Sequence, residues 1–331
     1  MENKVVLGLS GGVDSAVAAA LLVQRGFQVS CVYLDNGVGD AAPARQAAEQ
    51  LGLELEIIDI RPALEERVCK PFAEGYLAGK TPSPCALCNP AVKFDALLQR
   101  SDALGARFVA TGHYAQVAEG GLLKKGAVGN DQSYLLSRLT RQQLARCIFP
   151  LGEYEKPQVR ALAAQFGLAA AQRPDSMEIC FIPDNDYAAW LERRGFACPE
   201  GDFVDKEGHV LGRHKGIHHY TLGQGSGLGL SGPHKYYVSA ILPGENKVVL
   251  SDGSDLGRTE ITVEGLQFLA DGLPPRLTAR FRHSRTLTPG TLEVQGNQGL
   301  FRADESVRAP TPGQLAVFYD GDTVVASGWI K

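Results

Sequence analysis

The residues of this chain best equipped for chemistry fall into two groups. One is a glycine- and hydroxyl-rich turn, Ser10-Gly11-Gly12-Val13-Asp14-Ser15; the other is a set of seven cysteines, two of them spaced as Cys85-x-x-Cys88. Glycines let backbone N–H groups approach a pyrophosphate closely, a helix start adds partial positive charge, and Ser10 and Ser15 add hydroxyl donors. The turn is not a Walker A loop, because no lysine follows its second glycine. An odd number of cysteines argues against a disulfide framework, so reactive or metal-binding thiols are the question they raise.

Such a turn needs a strand before it and a helix after it. Val5 to Leu9 is apolar apart from Gly8, the pattern of a strand covered on both faces. Ala16 to Arg25 reads as a helix ended by Gly26. Further strands are predicted at Gln28 to Leu34, Leu53 to Ile60 and Phe108 to Ala110, and helices at Ala41 to Leu51, Arg61 to Gly79, Lys93 to Leu104, Lys156 to Phe166 and Asp186 to Arg194. This alternation predicts an α/β fold with a doubly wound parallel sheet, whose ligand lies beyond the carboxyl ends of the strands. Three prolines around Cys85 and Cys88 predict a stiff loop over Thr81 to Pro90. Asp175 to Ile182 reads as a turn entering a strand-like apolar run that carries Cys180. From about Pro199 glycine becomes frequent and short runs read as strands: Tyr236 to Leu242, Lys247 to Ser251, Leu277 to Phe281, Thr291 to Val294, Leu315 to Phe318 and Val324 to Trp329. The domains predicted are 1–198, 199–258 and 259–331.

The 331 residues carry a net charge of −4, which excludes a uniformly basic nucleic-acid binder but leaves room for a local patch. Six arginines stand against three acids between Arg276 and Arg308. No window reaches the roughly 18 apolar residues of a membrane span, and the first strand leaves no room for a signal peptide. The expectation is a cytoplasmic protein with no membrane partner.

The string SGGVDS resembles the PP-loop of N-type ATP pyrophosphatases, which release pyrophosphate from ATP and leave AMP on a substrate oxygen. Together with the Pro-x-Pro-x-x-x-Cys-Asn segment at Pro82 to Asn89, Thr111-Gly112-His113-Tyr114, Asp131-Gln132-Ser133-Tyr134 and Ile179-Cys180-Phe181-Ile182, the whole chain resembles the tRNA-specific 2-thiouridylase family. That family replaces O2 of the wobble uridine of certain tRNAs with sulfur. The resemblance implies a PP-loop domain, a small central domain and a C-terminal β-barrel, with ATP and Mg²⁺ as cofactors. It implies ATP binding at Gly8, Leu9, Ser10, Gly11, Gly12, Val13, Asp14, Ser15, Leu34 and Gly112, with Leu34 where the family usually has methionine. Cys88 matches the first catalytic cysteine, and Cys180 the one that carries a persulfide delivered by a cysteine desulfurase or sulfur relay protein. Ser83, Pro84, Asn130, Asp131, Gln132, Arg280 and Phe281 match tRNA-contacting positions.

The chain departs from the family at Cys85, where the commoner residue is aspartate. Cys85, Cys88 and Cys180 thereby make three thiolates of a kind suited to a 4Fe-4S cluster, so persulfide and cluster mechanisms both stand. Cys31, Cys69, Cys147 and Cys198 read as inert buried thiols. The family's Gly-Gln-Arg-Lys-Gly-Leu-Gly loop is here Gly223-Gln224-Gly225-Ser226-Gly227-Leu228-Gly229, which loses two charges. Either His218, His219, Lys215 and Lys235 compensate or phosphate contact is weaker; the histidines themselves read as solvated. His113 is expected to satisfy a loop carbonyl, and Asp14 to organise Mg²⁺ or cap its helix. Two other functions fit the loop less fully: another PP-loop ligase, which needs no cysteine pair, and a non-catalytic RNA-binding or iron-sensing protein, which needs no intact PP-loop.

Overall fold

The computed structural model describes residues 3–127, 129–174, 179–232, 234–283 and 286–331. A five-stranded parallel sheet forms the first layer, in the order Leu55–Asp59, Gln28–Asp35, Lys4–Gly8, Phe108–Ala110, Cys147–Ile148. Lys4–Gly8 is central because its side chains serve two cores: Val5 and Leu7 point into one and Val6 into the other. The chain winds outward on one side of this strand and then on the other. The crevice for a ligand therefore opens between the ends of Lys4–Gly8 and Phe108–Ala110.

The helix Val13–Gln24 follows directly, buried along most of its length, and ends with Gly26 at φ 79°. The other predicted helices of this domain are present within a residue or two, Arg61 to Leu77 being interrupted by a π-turn at Glu65–Cys69.

Two local expectations are corrected. The proline-rich stretch is helical, not a loop: Pro84–Cys88 forms a first turn with Ser83 at its N-cap, and a π-turn at Asn89–Lys93 leads into the helix Phe94–Ala103. Proline at a first helical position gives up an N–H that has no partner there, and the wider π-turn takes up Pro90. The run Ile179 to Ile182 is a turn, with Ile182 N–H donating to the Ile179 carbonyl at 2.9 Å. It is apolar because Phe181 and Ile182 pack into a third core, Phe181 against Phe72 and Trp190. Asp175 to Glu178 lie outside the described residues.

The central unit is a four-stranded sheet, Tyr237–Leu242, Lys247–Ser251, Gly201–Val204, Val210–His214, around Phe203, Ile217, Tyr220 and Val238. The C-terminal unit is a closed six-stranded barrel in the order Gly257–Phe268, Gln298–Arg308, Thr288–Gln295, Leu277–Arg280, Leu315–Asp320, Thr323–Ile330, the last strand pairing back to the first. Gly265, at φ 62°, sits in the bulge where Gly257–Phe268 switches partners.

The barrel is built into the first domain. A hairpin, Ala115–Ala118 and Leu122–Lys125, reaches the strand Thr323–Ile330. One continuous core holds Val6, Phe94 and Leu97 together with Leu315, Val317, Tyr319 and Val324. Thr81 N–H donates to the Pro312 carbonyl at 2.8 Å, and Gln314 Nε2 donates to the Thr81 carbonyl at 2.7 Å. The barrel thus fixes the chain just before the cysteine helix.

Candidate active site at the sheet rim

The Ser10 to Ser15 turn is held open by its own hydroxyls. Ser15 Oγ donates to the Gly12 carbonyl at 3.0 Å and lies 3.1 Å from Ser10 Oγ, while Ser10 N–H donates to Ser15 Oγ at 3.2 Å. Gly11 is obligatory: its φ is 81°, and a Cβ there would lie 2.5 Å from the Ala44 nitrogen. Gly12 is the N-cap and offers no side chain to cap the helix, so the first-turn N–H groups face outward. Gly112, across the crevice, approaches so closely that a Cβ would lie 2.8 Å from the Ser15 nitrogen. An uncapped helix start framed by hydroxyls fits a pyrophosphate.

Other members of the predicted nucleotide set lie beneath this surface. Leu9 and Val13 bury their side chains in the core, Leu9 N–H is taken by the Val32 carbonyl at 2.8 Å, and Gly8 ends the strand. Leu34 is half-buried two residues before Asn36, on the same rim. Asp14 does not cap the helix. Its carboxylate takes Lys156 Nζ at 2.7 and 2.8 Å and the Tyr114 hydroxyl at 2.6 Å.

Sequence reasoning missed the wiring behind Asp14. Tyr114 N–H donates to Gln132 Oε1 at 2.9 Å, and Asn130 Oδ1 accepts from Lys156 N–H at 2.8 Å in its satisfied amide orientation. Asp131 accepts from Gly126 N–H, Ser133 N–H and Ser133 Oγ, and pairs with Arg280 at 2.7 Å. Both members of this ion pair are interior, with side chains 7% and 11% exposed. Phe281 is buried against Phe301 in the barrel. The tripeptide and the Arg-Phe pair are therefore a strut between nucleotide loop and barrel. No local spacing signals it, since Asp131 and Arg280 lie far apart in the chain.

Cys85 and Cys88, three apart on one helical turn, share a face. Cys85 and Cys180 are exposed and Cys88 is half-buried. Cys180 lies near both. Asn36 Nδ2 donates to the Cys180 carbonyl at 2.9 Å and ties that turn to the sheet rim. Burial pushes the half-buried Cys88 thiol up to about 11, with Lys93 opposing. Ser83 and Pro84 are buried at the start of this turn.

Cys69 is less isolated than its sequence context implies. Burial pushes it up to about 12, and it feels both Cys88 and Cys180. It lines a cleft of about 420 Å³ with Asn36, Arg61, Phe181, Trp190 and Arg194. Cys31 and Cys147 are buried, as expected; Cys198 is half-buried.

The histidine expectations need correction. His218 is buried, not solvated. His218 Nδ1 accepts from Cys198 N–H at 3.2 Å, so its Nε2 carries the proton and faces Glu192 at 3.3 Å; His219 Nε2 lies 2.9 Å from the same carboxylate. Although these donors cluster closely, the arrangement is a clamp between the helix Tyr187–Arg193 and the turn Ile217–His219 of the central unit. It removes His218 from any phosphate contact. His113 is bonded to the Thr111 hydroxyl at 2.7 Å rather than to a carbonyl, and burial holds its pKa well below the usual histidine range.

An open parallel sheet with an uncapped, glycine-lined helix start at its switch point, and a central strand lacking any Walker lysine, defines the PP-loop class of nucleotide-binding proteins. Family models agree along the chain. Residues 3–184 match a "tRNA methyl transferase HUP domain", 190–252 a "tRNA methyl transferase PRC-barrel domain" and 258–330 an "Aminomethyltransferase beta-barrel domain". The tRNA-specific 2-thiouridylase MnmA of Syntrophotalea carbinolica is 43% identical over 99% of both chains, and that of Clostridioides difficile is 39% identical over 100% of this chain and 99% of its own. The chain belongs to the tRNA-specific 2-thiouridylase family. Among solved structures, the U34-tRNA thiolase NcsA of Methanococcus maripaludis with its [4Fe-4S] cluster aligns at TM-score 0.37 and 20% identity, covering 58% of this chain and 67% of its own. An NMN synthetase of Francisella tularensis aligns at TM-score 0.36 and 22% identity over 53% and 67%. Among the described residues, no helix is long and apolar enough to cross a membrane.

Proposed function

We propose that this chain is an ATP-dependent tRNA-uridine 2-sulfurtransferase acting on the wobble uridine in the cytoplasm. The observation that carries the reading is the convergence of the Ser10 to Ser15 turn, Gly112 and the thiols of Cys85, Cys88 and Cys180 on one rim of the sheet. A uridine C2 oxygen is a poor leaving group. Attack of that oxygen on the α-phosphate of ATP breaks the Pα–O–Pβ bond and makes the oxygen part of an AMP leaving group; the uncapped helix start receives the expelled pyrophosphate, whose charge Mg²⁺ would help to neutralise when bound. Gly11, Gly12 and Gly112 bring backbone close to the nucleotide, Ser10 and Ser15 shape the turn, and Leu34 lies toward the base. Gly8, Leu9, Val13 and Asp14 support them from beneath.

The sulfur step needs a nucleophile at C2. A persulfide on Cys180, loaded by a cysteine desulfurase or relay protein, supplies its terminal sulfur; the C2–O bond breaks and AMP leaves with the electron pair. Cys88 thiolate then attacks the Cys180 sulfur, splitting the S–S bond, leaving sulfur on the base and a Cys88–Cys180 disulfide for an external thiol to reduce.

A second reading draws on Cys85 and Cys88 sharing one helical face, with Cys180 nearby. These three soft donors fit a 4Fe-4S cluster, which when bound would offer an open iron to carry sulfur. Recognition of tRNA is assigned to the surface around Ser83, Pro84, Asn130 and Gln132, with Asp131, Arg280 and Phe281 holding it from within.

The function is tested with ATP, unmodified tRNA and a persulfide donor, comparing the native chain with Cys180→Ser. The native chain forms 2-thiouridine and the variant forms none while still releasing pyrophosphate; equal thiolation by both contradicts the proposal. Anaerobic purification with iron and sulfide analysis separates the carriers, because an iron-free chain that thiolates tRNA eliminates the cluster.

A further inference from the structure

Lys93 is a cation that the sequence motifs leave without a task. It closes the π-turn after the cysteine helix and is half-buried. Its charge bears on Cys85 and Cys88 on one side and on His113 on the other. The next residue, Phe94, stacks on the His113 ring at 6.0 Å, and His113 follows Gly112, whose Cα packs on the Asp14–Ser15 backbone. Lys93 therefore lies on the turn that joins the cysteine helix to the Phe94–His113 stack beside the nucleotide loop.

Its neighbours make this position unusual. Lys156, the other lysine at the loop, is committed to both oxygens of Asp14. No carboxylate of the described residues pairs with Lys93. A half-buried cation that pairs with no carboxylate among the described residues, on the turn linking the cysteine helix to the nucleotide side of the crevice, is the arrangement that an anionic group bound there completes.

We propose that Lys93 binds the phosphate of the adenylated uridine and stabilises the negative charge that leaves with AMP when sulfur attacks C2. This rests on the adenylation chemistry proposed above. When the C2–S bond forms and the C2–O bond breaks, the electron pair passes to the AMP oxygen, and a fixed ammonium beside that phosphate lowers the barrier to its departure. The helix start serves the pyrophosphate in the first step; Lys93 serves the remaining phosphate in the second.

The test follows the two steps separately in the native chain, Lys93→Met and Lys93→Arg, using ATP, unmodified tRNA and a persulfide donor. In Lys93→Met, tRNA-dependent pyrophosphate release in the first turnover stays within about threefold of native, while AMP release and 2-thiouridine formation fall about 100-fold, the scale of one lost charge-stabilising donor. Adenylated tRNA then accumulates and is detected by mass, and Lys93→Arg recovers most of the rate. Unimpaired thiolation in Lys93→Met overturns the inference, as does a parallel fall of pyrophosphate release and thiolation. A fall in thermal midpoint that Lys93→Arg repairs without restoring thiolation overturns it too. A native chain that releases no pyrophosphate in response to tRNA overturns the adenylation reading itself.

Discussion

Cys88 shows how much a single side chain depends on its surroundings. Its thiol is half-buried and pushed up to about 11, so at neutral pH nearly all of it is protonated. The fraction of thiolate rises about tenfold per pH unit until that value is approached. Peptide-resolved alkylation of Cys88 is expected to accelerate from pH 7 to 10 with no plateau near 9.0, the ordinary thiol value; a plateau there contradicts the burial seen here. The same group bears on stability. The folded chain keeps the Cys88 proton to higher pH than the unfolded chain, so its contribution is fully present below 9.0 and is lost as pH rises toward about 11. Cys31, Cys69 and Cys147, pushed up to about 12, act in the same direction. Urea midpoints measured from pH 8 to 11 are expected to fall steadily, and a flat profile would contradict the assignment.

At the scale of elements, the nucleotide loop was legible because its physics is local. An apolar strand, glycines at the turn and a helix with Gly26 at its end sit contiguously in the chain, and the structure places each where that pattern puts it. The cysteine helix was not legible, because three prolines argue for a loop unless it is known that one begins a helix and another meets a π-turn. The strands Gly257–Phe268 and Gln298–Arg308 escaped for another reason: both show many polar residues outward and owe their extension to pairing with each other. Gly11→Ala tests the loop. Positive φ and the contact with Ala44 are expected to cost about 1–3 kcal/mol and to abolish measurable ATP binding; a variant with native thermal midpoint and native ATP affinity contradicts the geometry. Gln314→Ala removes the tie from barrel to Thr81. It is expected to leave tRNA-free ATP binding unchanged and slow thiolation several-fold, which single-turnover assays can resolve.

On the scale of the whole molecule, the barrel is part of the catalytic body rather than an appended module. Arg280 and Asp131 form an interior ion pair across it, the Tyr134 hydroxyl donates to the Leu315 carbonyl at 3.0 Å, and the shared core runs from Val6 to Val324. None of this could be read along the sequence, since each contact joins residues more than 140 positions apart. Removing one partner strands a buried charge, so Arg280→Ala or Asp131→Ala is expected to cost about 3–5 kcal/mol in urea unfolding. Loss below 1 kcal/mol would place both groups in water.

The central claim is that ATP consumed at the glycine loop activates the same base that receives sulfur at the cysteines. It is tested most directly by counting both products in one reaction containing ATP, Mg²⁺, unmodified tRNA and a persulfide donor. The account predicts tRNA-dependent pyrophosphate release in equal amount to the 2-thiouridine formed at the wobble position. Pyrophosphate release indifferent to tRNA, or sulfur incorporated without ATP, would contradict it.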